Sequence, residues 1–299
     1  MISPKSLAQI VFHRSGLLRL VRHRNRRRLR ILMYHRFPDA DTAAFDRQCR
    51  HIKDHYHALS LTEAGRLLKS GGALPDNALV VTVDDGYEDF YRNAFPALKQ
   101  HGIPATVFLT TGFLDDLTWL WWDKVRVALE RNPAKGSFDS TVEALTRVPN
   151  QERLRTIESM ARGVPATPPK PYAPLRWDQV RDMSKHGIDF GAHTVMHPIL
   201  SRVETEGELR WEIEQSRDRI AQELGTRTLH FCYPSGRPED LDGRTRQLAE
   251  AAGFETAVTT EPGFHRPGAD LLLMRRIGVE PSNRPHYFKQ QLAGFRVPR

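Results

Sequence analysis

Short apolar runs alternate along the chain with longer segments in which apolar residues recur at every third or fourth position. The short runs predict buried strands, and the longer segments predict amphipathic helices. Because helices separate nearly all of the strands, the pattern favours a barrel-like parallel fold over a sandwich. The predicted strands cover residues 30–35, 78–83, 103–110, 188–192, 228–233, 256–260 and 271–279.

The predicted helices of this rhythm cover residues 42–56, 61–69, 90–101, 177–186, 206–224 and 244–252. Residues 113–175 interrupt the alternation, and we interpret them as a helical insertion beside the sheet. Trp119, Trp121 and Trp122 open its first helical stretch, a second helix follows, and a proline-rich connector ends it. Two readings of the three tryptophans stay open: a platform on which sugars stack, or ordinary core packing.

Basic residues are concentrated at the amino terminus. Residues 1–30 contain nine Lys or Arg and no acidic residue, so this segment accounts for the formal net charge of +8. Apolar residues at helical spacing lie among the basic ones, which predicts a basic amphipathic arm over 1–29 ahead of a catalytic domain over 30–299. The arm could rest on an anionic membrane surface or pack on the domain. Nucleic-acid binding is disfavoured, because no aromatic residues are interleaved with the basic ones.

Composition and targeting signals narrow the class of protein. The chain has an ordinary globular composition, which excludes collagen-like and low-complexity proteins. The arm is too interrupted for a transmembrane helix and lacks the features of a signal peptide. Cys49 and Cys232 form no metal-binding or disulfide pattern and are interpreted as reduced, buried thiols. We therefore expect a cytoplasmic protein, with contact at the inner membrane surface as one role for the arm.

Candidate chemistry follows two of the predicted strands. Asp84 and Asp85 come directly after the strand at 78–83, and His193 and His197 follow the strand at 188–192. In barrels of parallel strands, functional residues gather at the carboxyl ends of the strands. Two imidazoles and one carboxylate suit a zinc-like ion and leave positions open for water and substrate. Adjacent carboxylates point in different directions, so one can bind the metal while the other acts as a base.

The same segments resemble motifs of the NodB-homology polysaccharide deacetylases, a family of carbohydrate esterases. The segment Val81-Thr-Val-Asp-Asp-Gly86 looks like the family's Thr-Phe-Asp-Asp-Gly motif. The segment His193-Thr-Val-Met-His197 looks like its His-Ser/Thr-x-x-His motif. The segment Phe231-Cys-Tyr-Pro-Ser-Gly236 is similar to the family's third motif. The segments Leu32-Met-Tyr-His35 and Arg276-Ile-Gly-Val279 resemble the branch of the family that includes exopolysaccharide-modifying members. The resemblance covers about residues 30–285, apart from the insertion.

This resemblance implies an α/β fold, a distorted (β/α) barrel of about seven parallel strands. It implies metal-dependent removal of N-acetyl groups from sugars, typically N-acetylglucosamine units of an exopolysaccharide or cell-envelope glycan. Asp84 matches the general base of the family. The ligands of one divalent ion match Asp85, His193 and His197; zinc is the expected ion, with cobalt, nickel or iron as alternatives. The oxyanion and substrate contacts of the third motif match Tyr233 and Ser235.

The sequence departs from the family pattern at two places. The arginine that tethers the base in many members would fall near Cys232, so Arg276 is the candidate replacement and Arg275 the alternative. The family's late Leu-x-His, which carries the general acid, is absent. His35 is the candidate acid or substrate contact, and a core histidine is the alternative reading. Weaker candidates for the acid are His230, His265 and His286.

These departures leave two further functions open. One is a carbohydrate-binding scaffold of weak activity on the same fold, and the other is an esterase that acts on O-acetyl groups. In all three cases the expected partner is an acetylated glycan. The sequence does not decide between them, because the motifs specify the fold and the ligand set rather than the bond that is cleaved.

Overall fold

A computed structural model describes residues 16–116, 119–133 and 136–295. Its sheet contains eight strands, all of which pair in parallel. Seven of them close into a barrel, because β1 pairs both with β3 and with β8. The strands are β1 Arg30–Tyr34, β2 His57–Ala58, β3 Ala78–Val83, β4 Ala105–Leu109, β5 Ile188–Ala192, β6 His230–Cys232, β7 Thr256–Pro262 and β8 Met274–Gly278. The predicted fold class is confirmed.

Helices connect the strands, as parallel pairing requires. In chain order they are α1 Leu17–Arg24, α2 Thr42–His55, α3 Leu61–Lys69, α4 Phe95–His101, α5 Thr111–Asp116, α6 Trp121–Arg131, α7 Phe138–Arg147, α8 Asn150–Met160, α9 Trp177–Ser184, α10 Glu206–Leu224, α11 Gly243–Ala251 and α12 Pro285–Ala293. The sequence pattern missed β2, α5, α7 and α12. It also predicted a single helix over residues 90–101, where the structure has a π-helical turn, Phe90–Ala94, followed by α4. The hydrogen-bond pattern changes there because Pro96, in the first turn of α4, lacks an amide hydrogen.

The core has two layers because side chains on a strand alternate between its faces. On β3, Val81 and Val83 belong to the larger apolar cluster, which the surrounding helices complete, whereas Val80 belongs to a smaller cluster. Helix α3 contributes apolar residues to the smaller cluster and covers one end of the barrel. Its Gly65 lies so close to Thr256, at the start of β7, that a Cβ there would meet the threonine methyl at 2.9 Å. The opposite, carboxyl end of the barrel is left for the site.

The insertion between β4 and β5 has its own small core, formed by α6, α7 and α8. Trp121 belongs to that core, and Trp119 donates its indole N–H to Pro165 O at 2.8 Å. Trp119 therefore serves packing, whereas Trp121 packs in this core and also lines a cavity at the carboxyl end of the barrel. Trp122 is only partly buried, and its ring contacts His197 rather than being enclosed in this core.

The part of the arm that the structure describes joins the domain. Helix α1 packs on α12, and the Asn25 side-chain amide donates to Ala293 O at 2.9 Å. The Arg26 carbonyl accepts the Asn77 N–H, and Leu29 is fully buried. Residues 1–15 of the predicted arm lie outside the described residues, so the boundary at residue 29 stays a prediction. Over the described ranges, no helix has the length and apolar character needed to span a bilayer.

Candidate active site

The carboxyl ends of four strands meet around a cavity of about 540 Å³. His35 follows β1, the Asp84–Asp85 pair follows β3, His193 follows β5 and Tyr233 follows β6. The candidates from sequence that line this cavity are His35, Asp84, Asp85, Trp121, Trp122, His193, His197, Tyr233 and Ser235. Residues separated by up to two hundred positions in the chain are thus brought together by the closure of the barrel.

Asp84 is fixed by Arg276 from β8. The guanidinium donates from Nη1 to Oδ1 and from Nη2 to Oδ2 of the carboxylate, both at 2.7 Å, and both side chains are buried. Its Nε donates to Thr259 O, and Nη2 lies 3.2 Å from the Cys232 sulfur. Burial alone would raise the pKa of the Asp84 carboxyl, but the charge and hydrogen bonds of Arg276 outweigh it and hold that pKa below its ordinary value. The base candidate is therefore kept ionised.

Arg275 does not take part in this contact. It lies next to Arg276 on the same strand, so its side chain falls on the opposite face and is exposed. Cys232 occupies a place beside Asp84, with its sulfur 3.6 Å from Oδ2. Arg276 of β8 therefore reaches the Asp84 carboxylate next to Cys232, whose thiol is small and neutral.

Asp85, His193 and His197 form a compact group whose ligand atoms lie within 4.8 Å of one another. Asp85 Oδ1 is 3.5 Å from His193 Nε2 and 3.8 Å from His197 Nε2. His193 Nδ1 donates a 2.7 Å hydrogen bond to the Cys232 carbonyl, so Nδ1 is protonated and Nε2 is the nitrogen that faces Asp85. Burial lowers the pKa of His197 to about 3, so that imidazole is neutral. The donor set fits a divalent ion of the zinc type.

The loop that carries the histidines is held by Glu212, which sequence reasoning missed. Its Oε2 accepts the backbone N–H groups of Val195 (2.8 Å) and Met196 (2.9 Å), while the Thr194 hydroxyl accepts the His197 N–H. Thr194 and His197 both adopt positive φ, a strained conformation for residues with side chains. A signal was present: α10 places this acid on its buried face, where a charge requires partners.

His35 and the third motif lie at the rim of the group. His35 Nε2 is 3.7 Å from Asp84 Oδ2, and its side chain is 46% exposed. Tyr233 donates its hydroxyl to Leu272 O and its backbone N–H to Val258 O, so its ring is the part available to the cavity. Ser235 lies at the turn that follows, with φ 59°.

The weaker histidine candidates lie elsewhere. His230 sits between the hydroxyls of Thr62 and Thr256, each at 2.8 Å, near the end of the barrel that α3 covers. His265 bonds to the Arg275 carbonyl at 2.9 Å. Neither of them, nor His286, lines the cavity in the part of the chain that the structure describes.

A family model described as polysaccharide deacetylase matches residues 71–257, more than half of the chain. The chain belongs to the polysaccharide deacetylase family. It is therefore a deacetylase enzyme, and the resemblance read from its motifs is confirmed.

Individual relatives agree with this assignment. YxkH of Bacillus subtilis, named as a polysaccharide deacetylase, is 24% identical over 260 residues, which are 85% of this deacetylase and 72% of YxkH. The solved deacetylase PplD of Streptococcus pyogenes, in complex with acetate, is 25% identical with a TM-score of 0.63, over 89% of this chain and 99% of that one. A 71-residue segment is 34% identical to poly-beta-1,6-N-acetyl-D-glucosamine N-deacetylase of Escherichia coli, covering 23% of this chain and 11% of that protein.

In this deacetylase the helical insertion forms one wall of the site. The Trp122 ring packs edge-on against the His197 ring, with centroids 4.5 Å apart. Trp122 Nε1 donates to the Tyr87 hydroxyl at 3.1 Å, and that hydroxyl donates to Asp123 Oδ2 at 2.5 Å. Burial raises the pKa of Asp123 to about 6. Trp122 thus supports a ligand of the metal group and presents an aromatic ring to the cavity.

Proposed function

We propose that this deacetylase removes N-acetyl groups from N-acetylhexosamine units of an exopolysaccharide or cell-envelope glycan, with one divalent ion, zinc first among the candidates. The observation that carries the proposal is the ionised Asp84, held by Arg276 beside the Asp85–His193–His197 group. The name of the Escherichia coli relative supports an N-acetylated substrate.

The roles follow from position. Asp85, His193 and His197 would hold the ion, which when bound makes a water molecule more acidic and polarises the acetyl carbonyl. Asp84, anionic at neutral pH, accepts a proton from the attacking water. The turn at Ser235 and the Tyr233 ring contact the acetyl group and the sugar.

We assign the proton-donor role to His35. Among the described residues that line the cavity, it is the histidine that does not belong to the ligand group. Its Nε2 lies 3.7 Å from Asp84 Oδ2, within reach of the proposed base, and its partial exposure leaves the ring open to the cavity. A histidine that follows β1 would thus replace the family's missing late histidine.

Acetate release tests the proposal. Protein loaded with zinc or cobalt should release acetate from N-acetylated oligosaccharides, and Asp84→Asn should abolish turnover while metal content stays stoichiometric. Failure to bind a divalent ion would favour the scaffold alternative, against which the buried Arg276–Asp84 pair already argues. Turnover on matched O-acetylated sugars measures the esterase alternative in the same assay.

We further propose that the arm contacts an anionic membrane, which would place the enzyme in the cytoplasm at the inner surface. Helix α1 leaves Leu17 and Leu20 exposed at 39% and 62%, one helical turn apart. Arg19 and Arg24 of the same helix are also exposed. This combination of apolar and basic side chains suits a membrane interface.

A further inference from the structure

The helical insertion brings an acidic and a basic side chain to the wall of the site cavity. Asp123 and Arg126 lie three positions apart on α6, a spacing that places both on one face of the helix, and both line the cavity. Trp122, the residue before Asp123, packs against His197 of the ligand group. A sugar whose acetyl group lies at the ligand group would therefore meet both side chains.

Asp123 is buried, and one of its carboxylate oxygens is already occupied. Oδ2 accepts the Tyr87 hydroxyl at 2.5 Å, and that hydroxyl accepts the Trp122 indole N–H at 3.1 Å. The other oxygen, Oδ1, accepts no hydrogen bond from any residue that the structure describes. Burial raises the pKa of Asp123 only to about 6, so at neutral pH the carboxylate is ionised and can only accept. One buried acceptor at the cavity wall is thus left for a ligand that donates a hydrogen.

Arg126 supplies the complementary donors. Its guanidinium stacks on the Phe138 ring of α7, 3.6 Å from the centroid, which restrains its position. It forms no ion pair with Asp123, although its positive charge opposes the effect of burial on the pKa of that carboxyl. Arg237 and Asp240, after β6, line the same cavity and offset each other in the same way. The wall therefore presents an acceptor and a donor side by side without an excess of either charge.

We propose that Asp123 and Arg126 form a subsite for two adjacent hydroxyl groups of the sugar that is deacetylated. Each hydroxyl both donates and accepts, so one can donate to Asp123 Oδ1 while its neighbour accepts from the Arg126 guanidinium. In an N-acetylhexosamine the amide occupies C2, so the adjacent pair is the hydroxyls on C3 and C4. This inference rests on the proposed N-deacetylase function and adds a specificity-determining pair from the insertion to it.

Deoxy substrates test the subsite. The parent is an oligosaccharide of N-acetylglucosamine joined through C6, which leaves the C3 and C4 hydroxyls of each unit free. Its two analogues lack either the C3 or the C4 hydroxyl on every unit, and acetate release is measured with the zinc-loaded enzyme. We expect each analogue to lose about 10–100-fold in kcat/KM, as for the loss of a hydrogen bond to a charged group.

Two variants identify the contacts. Asp123→Asn keeps an oxygen for the Tyr87 hydroxyl but loses the charge, and Arg126→Met loses the donors. Each should slow the parent about 10-fold, yet turn over the analogue that lacks its own partner hydroxyl no more slowly than the wild type does. Metal content is measured for each variant, because Trp122 adjoins the ligand group. Glu130→Gln, an exposed acid of the same helix, is the control.

Two results would overturn the inference while leaving the proposed function intact: equal turnover of the parent and both analogues, or variants that slow all of these substrates equally. If no substrate releases acetate, the N-deacetylase function fails, and calorimetric binding of the same oligosaccharides decides the inference. Weaker binding of both analogues, with no added effect of Asp123→Asn on one of them, supports it; equal binding of all of them refutes it.

Discussion

Arg276 holds both oxygens of the Asp84 carboxylate at 2.7 Å, although 192 positions separate the two residues. The contact joins β8 to the end of β3 in the buried interior of the barrel. Removing the guanidinium would leave a buried carboxylate without its counter-charge, which typically destabilises a protein by about 3–5 kcal/mol.

We therefore expect Arg276→Met to raise the pKa of Asp84 and to move the acid limb of the kcat/KM profile to higher pH. Arg276→Lys, which keeps the charge but not the fork, should shift that limb less. The measurement is a pH–rate profile, with denaturation to verify folding. The native pair lowers the Asp84 pKa, so its stabilisation is present above the ordinary pKa and is lost as pH falls below it. Arg275→Met should leave the profile unchanged.

Replacing His35 by Asn should lower kcat by about 10²–10⁴, the range for loss of a general acid. Metal affinity should not change, because His35 lies outside the ligand group. Single-turnover acetate release with metal analysis checks both quantities. His186→Asn, an exposed histidine remote from the cavity, serves as the control. A variant with full kcat would show that His35 is a structural histidine.

Glu212→Ala should loosen the histidine loop, because two amide N–H groups would lose their acceptor. We expect zinc affinity to fall by about 10–100-fold, the usual effect of removing an outer-shell support. Chelator competition measures this without turnover. Glu214→Ala, two residues away and so on a different face of α10, should bind zinc normally.

The Glu212 carboxyl also predicts a dependence of stability on pH. Burial raises its pKa from 4.5 to about 7, so the unfolded chain releases the proton first and rising pH favours unfolding. Relative to Glu212→Gln, the wild type should lose up to about 3 kcal/mol of unfolding free energy between pH 4.5 and 7, at about 1.4 kcal/mol per pKa unit. Parallel pH dependences of the two proteins in urea titrations would contradict this.

For the arm, Leu20→Glu should reduce sedimentation with anionic liposomes, and added salt should weaken binding of the wild type. Leu154→Glu is a matched control, since Leu154 is 46% exposed on the insertion. Sedimentation that is unaffected by Leu20→Glu would leave α1 with a packing role alone.

The strands of the barrel could be predicted because each is a buried apolar run between helical segments. The contacts of Arg276 could not, since they depend on which strands become neighbours when the sheet closes. Side chains alternate along β8, so Arg275 and Arg276 point to opposite faces, but the sequence does not show which face points into the barrel.

Helix α7 was missed because its apolar residues pack in the small core of the insertion rather than on the sheet. Helix α12 places Phe288 and Leu292 in the main core, but its buried face also contains Gln290 and Gln291, which interrupt the apolar pattern. The role of Glu212 could not be predicted because its partners are backbone N–H groups of a distant loop, which leave no side-chain pattern in the sequence.

The separate core of α6, α7 and α8 has a consequence for substitutions in the insertion. Helices α7 and α8 complete this core, whereas α6 also reaches the site, where Trp122 contacts His197 and Asp123 accepts from Tyr87. Changes to the outer sides of α7 and α8 can therefore be absorbed within the insertion, whereas a change at Trp122 or Asp123 reaches the ligand group and the residues that follow β3.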